Sequence, residues 1–272
     1  MGDTMRDFAD WRNVIELPIV AKKTRTWSLA ELEEILTEYI LLCSIRCFIL
    51  NNEVICTTLS GGIDSSFCLA KIRKAVGKNI PIHTFTIGVD EAYPDIQFAR
   101  MVSEKFRTIH HEIIPQRGEI NEAKKRMHVL LSGRPYFPGD IAVFLIYERI
   151  AREGFGCVIA HDGIDELLGG YWKHRECDRD NQKKKKVFQD FWSKLGAEHL
   201  LPLERISQYF GIKVLLPYLQ IGVVEYISEI PLNERTTFKE SKIPLRAIAK
   251  KYLPKEVIKR NKKGFCSALG GM

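Results

Sequence analysis

The sequence contains no apolar run approaching the roughly 20 residues that a membrane-spanning helix requires. Its first residues, Met1-Gly2-Asp3-Thr4-Met5-Arg6-Asp7, lack the apolar core of a secretory signal. Arg6 stands where N-myristoylation needs a Ser or Thr. No two of the seven cysteines have C-x-x-C spacing, which excludes the common zinc and dithiol redox motifs. Cys43, Cys47, Cys56, Cys68 and Cys157 instead fall in apolar runs and read as buried small hydrophobes of a reducing, cytoplasmic protein. Cys43 and Cys47 lie one helical turn apart but have no neighbouring metal ligands. Internal repeats are absent, and low complexity is confined to Lys183-Lys184-Lys185-Lys186, which reads as a solvated face.

With 272 residues the chain has room for one large domain or two small ones. Its 45% apolar and 28% charged content is that of an ordinary globule, so the chemistry must be sought in local motifs. The net charge of +7 is concentrated at Lys183–Lys186 and at Lys250, Lys251, Lys255, Lys259, Arg260, Lys262 and Lys263. Such a balance suits a triphosphate and would also suit RNA.

Residues 1–27 are polar with isolated aromatics and read as an irregular arm. Ser28-Leu29-Ala30-Glu31 is a capping box. Leu29, Leu32, Ile35, Leu36, Tyr39, Ile40, Cys43 and Cys47 then recur at helical spacing, for about five turns. Strands are expected over residues 54–59, 80–88, 108–114 and 157–160, and helices over 67–76, 95–106, 119–132 and 140–153. Strands alternating with helices of this length predict an α/β fold, a parallel sheet with helices on both faces. From residue 171 onward the pattern turns helical, with 211–219 ambiguous. The expected organisation is therefore a nucleotide-binding core over 28–170 and a mainly helical part over 171–272.

The stretch Ser60-Gly61-Gly62-Ile63-Asp64-Ser65-Ser66 joins the strand Val54–Leu59 to the helix Phe67–Val76. Two glycines let the backbone pass close to a ligand, and serine hydroxyls with helix N-terminal amides form an anion site. A carboxylate among phosphate donors needs a cation between them, so Asp64 suggests Mg2+. The spacing is not that of a Walker loop; it resembles the pyrophosphatase loop (PP-loop) of enzymes that split ATP into AMP and pyrophosphate.

A second acidic turn, His161-Asp162-Gly163-Ile164-Asp165-Glu166-Leu167-Leu168-Gly169-Gly170-Tyr171, follows the fourth expected strand. Asp165 could pair with Asp64 around Mg2+, or the segment could be an acidic helix start that favours the macrodipole. A third region holds Lys239-Glu240-Ser241-Lys242 and Arg260-Asn261-Lys262-Lys263-Gly264-Phe265, where lysines would stabilise charge built up in phosphoryl or acyl chemistry. In this order the three motifs resemble the synthetase domain of the asparagine synthetase family, to which the β-lactam synthetases are related. Leu59 to Ser66, Phe85 to Gly88 with Pro94-Asp95, His110 to Ile113, Asp162 to Tyr171, Pro217-Tyr218-Leu219 and Lys239 to Phe265 carry the likeness.

By that resemblance Ser60, Gly61, Gly62, Asp64, Ser65 and Ser66 bind the pyrophosphate portion of ATP. Leu59, Ile87 and Gly88 line the adenosine site, with His161 and Asp162 close to the nucleotide. Asp64 and Asp165 hold Mg2+. Lys242, Lys262 and Asp162 are the expected catalytic residues, with Lys263 adjacent to Lys262. The implied activity is adenylation of a carboxylate followed by transfer to ammonia or an amine.

The likeness has local departures. Only about 55 residues precede the first motif, so the family's N-terminal glutaminase domain is not expected here. Nitrogen would then come from ammonia, a substrate amine or a separate glutaminase subunit. His161 and Asp162 replace a Gly and a Glu, and Leu215-Leu216-Pro217-Tyr218-Leu219-Gln220 loses an Arg and an Asp. Arg134 to Asp140 matches nothing in the family pattern, so the acyl substrate stays open. The alternatives are a PP-loop enzyme that adenylates a nucleobase in tRNA and a nucleotide-binding subunit needing a partner. A homo-oligomer without membrane attachment is expected.

Overall fold

The computed structural model describes residues 10–22, 24, 26–134, 136–260, 268 and 269. Strands β1 (Ile55–Thr58), β2 (Ile82–Ile87), β3 (Ile109–Ile113), β4 (Cys157–Ile159) and β5 (Lys213–Leu215) form one sheet in the order β3-β2-β1-β4-β5. Every pairing is parallel, with Thr57 opposite Thr84 on one side and Ile159 on the other. Strand order runs outward in both directions from β1 and β4. The carboxyl ends of those two strands are therefore the switch point where ligands settle in such sheets. Both glycine-containing acidic turns leave from there.

Helix α1 (Trp11–Ile15) precedes α2 (Leu29–Leu50), whose Ser28 hydroxyl accepts from Glu31 N at 3.1 Å, the serine half of the expected capping box, while Ser28 N donates to the Tyr226 hydroxyl at 2.9 Å. Leu32, Leu36, Ile40, Cys43 and Cys47 are fully buried, following the expected stripe. Helix α3 spans Ile63–Val76, so Asp64, Ser65 and Ser66 form its first turn and not the loop before it. Polar residues are tolerated in a first turn, where the helix amides have no intrahelical acceptor. Helix α4 (Pro94–Phe106) opens with proline at its first position. It is followed by α5 (Arg117–Leu130) and α6 (Pro138–Arg152). Helices α2, α3 and α4 pack together as one layer on the sheet, and α5 and α6 belong to the other.

Beyond β4 come α7 (Ile164–Leu168), α8 (Trp172–Glu176), α9 (Asn181–Leu195), a π-helical turn (Gly196–Leu200) and α10 (Leu201–Tyr209). After β5 follow α11 (Ile221–Ser228), α12 (Leu232–Arg235), α13 (Ile243–Ala249) and α14 (Lys255–Lys259). Strand β5 resolves the ambiguous 211–219 stretch. Three residues are too few to show a period, and pairing with β4 supplies what local propensity does not.

Two other expectations change. The arm is partly helical: Asp10 caps α1 by accepting from Arg12 N at 2.9 Å, and Val14 is fully buried. Trp192 Nε1 donates to Leu17 O at 3.0 Å. A single turn has no stability alone; here packing supplies it, because Gly196 leaves room for Ile15, whose Cδ1 would lie 2.6 Å from any added Cβ. The lysine run is not wholly solvated either. Lys184 is fully buried, with Nζ 2.9 Å from Asp178 and 2.6 Å from Thr236 O. The six described cysteines are free and buried, the five expected to be so and Cys177 besides. Among the described residues no helix is long and apolar enough to cross a membrane.

Candidate active site

A cavity of about 310 Å³ opens at the carboxyl ends of β1, β2 and β4. Its floor is the first turn of α3. Ser65 Oγ lies 3.2 Å from Ser60 Oγ and accepts from Ser60 N at 3.2 Å, so the serines brace the loop internally. Gly61 has φ +66°, and a Cβ there would meet Ala99 N at 2.4 Å. The first loop glycine is thus required by the backbone of α4 passing beneath the turn, a constraint independent of any ligand. Arg260 clamps the same turn: Nη1 donates to Ser60 O at 2.7 Å while Nη2 pairs with buried Asp95.

Three chain segments converge on one ammonium. Lys242 Nζ lies 2.6 Å from Asp64 Oδ2 and 2.7 Å from Asp165 Oδ1. Burial by itself would lower the lysine pKa, but Asp165 and Asp64 overcome it and hold the pKa above its ordinary value. Lys242 caps α13 in the left-handed region at φ +53°, a conformation that costs a non-glycine residue about 1–3 kcal/mol. Gly170 makes the approach possible, since a Cβ there would stand 1.7 Å from Asp165 Oδ1 and 2.6 Å from Lys242 Cε. Tyr218 is fully buried and donates from its hydroxyl to Asp64 O at 2.8 Å, anchoring the loop from the far side of the switch point. Glu166 accepts from Tyr171 at 2.7 Å.

His161 follows β4 and sits 3.4 Å from Thr57 Oγ1 and 3.3 Å from Thr58 Oγ1. Burial pushes its pKa down to about 3, so it is a neutral hydrogen-bonding ring at neutral pH. The facing wall comes from α6 and the π-helical turn. Asp140 Oδ2 accepts from Phe137 N at 2.8 Å, closing the start of α6. The Phe137 ring stacks on His199, centroids 6.0 Å apart and planes 16° apart. Leu195 and Leu203 flank that turn; short π segments are concentrated at functional sites.

Of the residues singled out from sequence, Leu59, Ser60, Gly62, Asp64, Ser65, Ile87, His161, Asp162, Asp165 and Lys242 line the cavity. Gly61, Ser66 and Gly88 do not. Ser66 is buried within α3, and Gly88 lies under Tyr93 and Ile96, where a Cβ would come within 2.8 Å of each. Lys262 and Lys263 lie outside the described residues. The wall residues Phe137, Asp140, Tyr147 and His199 escaped sequence reasoning. Their one signal was the unmatched Arg134 to Asp140 segment, which leads into α6.

Asp64 and Asp165 fit a magnesium ion: two hard-oxygen ligands already converge on a single positive charge. No group of three or more His, Cys, Asp or Glu among the described residues is arranged to hold a metal. Remaining ligands would therefore be phosphate and water oxygens, as is usual for Mg2+ with nucleotides.

The asparagine synthase family model matches residues 44–197 and 180–271. An asparagine synthetase (glutamine-hydrolysing) 2 of rice is 27% identical over 232 residues, covering 78% of this chain and 38% of the relative. Asparagine synthetase B (glutamine-hydrolysing) of Escherichia coli is 23% identical over 245 residues, covering 84% of this chain and 43% of the relative. The chain thus spans about two fifths of the length of these curated relatives. Among solved structures, the NMN synthetase of Francisella tularensis aligns with a TM-score of 0.38 and 16% identity, covering 78% of this chain and 97% of that one. The NAD+ synthetase of Burkholderia pseudomallei aligns with a TM-score of 0.36 and 14% identity, over 88% and 92% of the two chains. With the family model spanning both acidic turns and the Lys242 region, the chain belongs to the asparagine synthase family.

Proposed function

We propose that this chain is an AMP-forming, ATP-dependent carbon–nitrogen ligase of the cytoplasm. The observation that carries this reading is the convergence of Asp64, Asp165 and Lys242 over the serine-braced turn. In it, the amides at the start of α3 and the hydroxyls of Ser60 and Ser65 receive the β- and γ-phosphates. Lys242 leaves the two carboxylates and moves its ammonium to phosphate oxygens, so no net charge is left unpaired. Asp64 and Asp165 would hold Mg2+, which supplies electrostatic stabilisation of the charge on the phosphates.

A substrate carboxylate oxygen attacks the α-phosphorus, the bond to pyrophosphate breaks, and an acyl-adenylate forms. Ammonia or an amine then attacks the acyl carbon. AMP leaves with its bonding electron pair, the nitrogen loses a proton, and an amide results. The protein's part is placement and charge stabilisation in a partly closed cavity. Nitrogen would arrive as free ammonia, as a substrate amine, or from a separate glutaminase subunit, as the glutamine-hydrolysing names of the relatives suggest.

Phosphorus NMR of the protein with MgATP, ammonium and a panel of carboxylic acids tests the reading. Acid-dependent AMP and pyrophosphate are expected, and Asp64→Asn should abolish them with the fold intact. ADP and phosphate as products would reject the reading.

A further inference from the structure

The cavity has two chemically different walls. One is the phosphate turn with the cations Lys242, Arg246 and Arg260; the other is built from α6 and the π-helical turn. Every described cation lining the cavity is engaged on the first wall. Lys242 holds Asp64 and Asp165, Arg260 holds Asp95 and Ser60 O, and Arg246 donates to the backbone oxygens of Ser241 and Ile258. The second wall offers Val143, Leu195 and Leu203 as apolar surface and Asp140 as a carboxylate only 7% exposed. It also holds Tyr147, which is 2% exposed and whose hydroxyl has no hydrogen-bond partner among the described residues. A buried unpaired hydroxyl is destabilising, and a ligand oxygen in the cavity would remove that cost. Burial raises the Asp140 pKa, with Asp162 adding to it against the Phe137 amide and His199, so a bound cation would favour the ionised carboxylate.

Aspartate fits this wall poorly. Once one of its carboxylates is activated the other must be desolvated, and the second wall meets it with Asp140 and no described Lys or Arg. We infer that the acyl substrate is a monocarboxylic amino acid with an apolar side chain. Its ammonium is bound by Asp140, its carboxylate is oriented by the Tyr147 hydroxyl, and its side chain lies against Val143, Leu195 and Leu203. The inference rests on the ligase reading for its chemistry but not for its binding site. It makes Asp140, which closes the segment with no counterpart in the family pattern, and Tyr147, two turns further along α6, specificity-determining residues.

The test measures pyrophosphate release with MgATP and ammonium for phenylalanine, leucine, aspartate and 3-phenylpropionate. In parallel, calorimetry measures binding of phenylalanine in the presence of a non-hydrolysable ATP analogue. Phenylalanine and leucine are expected to exceed both aspartate and 3-phenylpropionate at least tenfold in kcat/KM. Tyr147→Phe should raise KM for phenylalanine about tenfold while leaving the Kd for ATP unchanged. Asp140→Asn, which keeps an oxygen to cap α6, should bring phenylalanine and 3-phenylpropionate to parity.

Pyrophosphate release driven best by aspartate would overturn the inference while keeping the ligase reading. Phenylalanine binding lost in Asp140→Asn but accompanied by no pyrophosphate release would uphold the pocket and overturn the ligase reading. Failure of phenylalanine to bind at all would overturn the inference.

Discussion

Lys242 reaches Asp64 at 2.6 Å across 178 residues of sequence, and the same ammonium contacts Asp165 at 2.7 Å. One lysine thus supplies the charge that the two acidic turns would otherwise lack. A buried carboxylate pair without a cation would protonate or repel, so the site is pre-formed before a nucleotide enters. In the proposed reading, Lys242 and a metal ion would compete for the same oxygens.

Replacing the lysine separates those two roles. Lys242→Met should lower stability by about 3–5 kcal/mol, the range for removing one partner of a buried ion pair. Millimolar Mg2+ should restore part of the loss in the variant and leave the wild type unchanged. Urea denaturation with and without Mg2+ measures both effects; equal Mg2+ responses would disprove the competition.

Gly170→Ala places a methyl group 1.7 Å from Asp165 Oδ1. The Asp165–Lys242 contact must open, and overpacking of this kind costs about 1–3 kcal/mol. Turnover should fall at least 100-fold. Gly118→Ala in α5 meets nothing within 4 Å and serves as the control, expected to be neutral or slightly stabilising. Thermal melts and pyrophosphate assays on the pair give the comparison.

His161 should not titrate near neutrality. Its pKa is drawn from 6.5 to about 3 by burial, so the folded state binds no proton there at pH values where the unfolded state does. Stability therefore rises with pH between about 3 and 6.5, and this residue's effect is complete above that window. Proton NMR should show the His161 ring, identified by its loss in His161→Gly, with constant shifts from pH 8 to 4.5, below which His110, drawn to about 4, begins to titrate first.

Glu33 ties α2 to α3 and to the turn between α13 and α14 by accepting from Lys71 and Lys251, each at 2.6 Å, and from Tyr252. Burial would raise its pKa, yet Lys251, Lys71 and Tyr252 outweigh that and draw it from 4.5 to about 2. A depressed folded pKa means a contribution that is full above pH 4.5 and is lost as pH falls toward 2. Glu33→Gln should lower Tm at pH 6 and make the fall in Tm between pH 4.5 and 2 shallower than in the wild type. Scanning calorimetry across that range reads both.

Much of this molecule is written in local pattern. The Leu32–Leu36–Ile40–Cys43–Cys47 stripe, the Ser28 cap and the alternation of short apolar runs with helices determine the parallel sheet, because period and capping are properties of neighbouring residues. The two acidic glycine turns are legible for the same reason: each carries its own anion- or cation-binding groups within a few positions.

Tertiary structure decided the rest. Strand β5 exists because β4 offers an edge, and α1 because Gly196 leaves space for Ile15. Lys184 is buried because Asp178 and the Thr236 carbonyl meet it, which no run of four lysines announces. Likewise the cavity wall of Asp140, Tyr147 and His199 comes from separate segments that carry no motif. Sequence specifies what a residue offers to its immediate neighbours; which distant groups it meets, and hence whether a charge is solvated, paired or placed against a substrate, is set only when the sheet order brings remote segments to one edge.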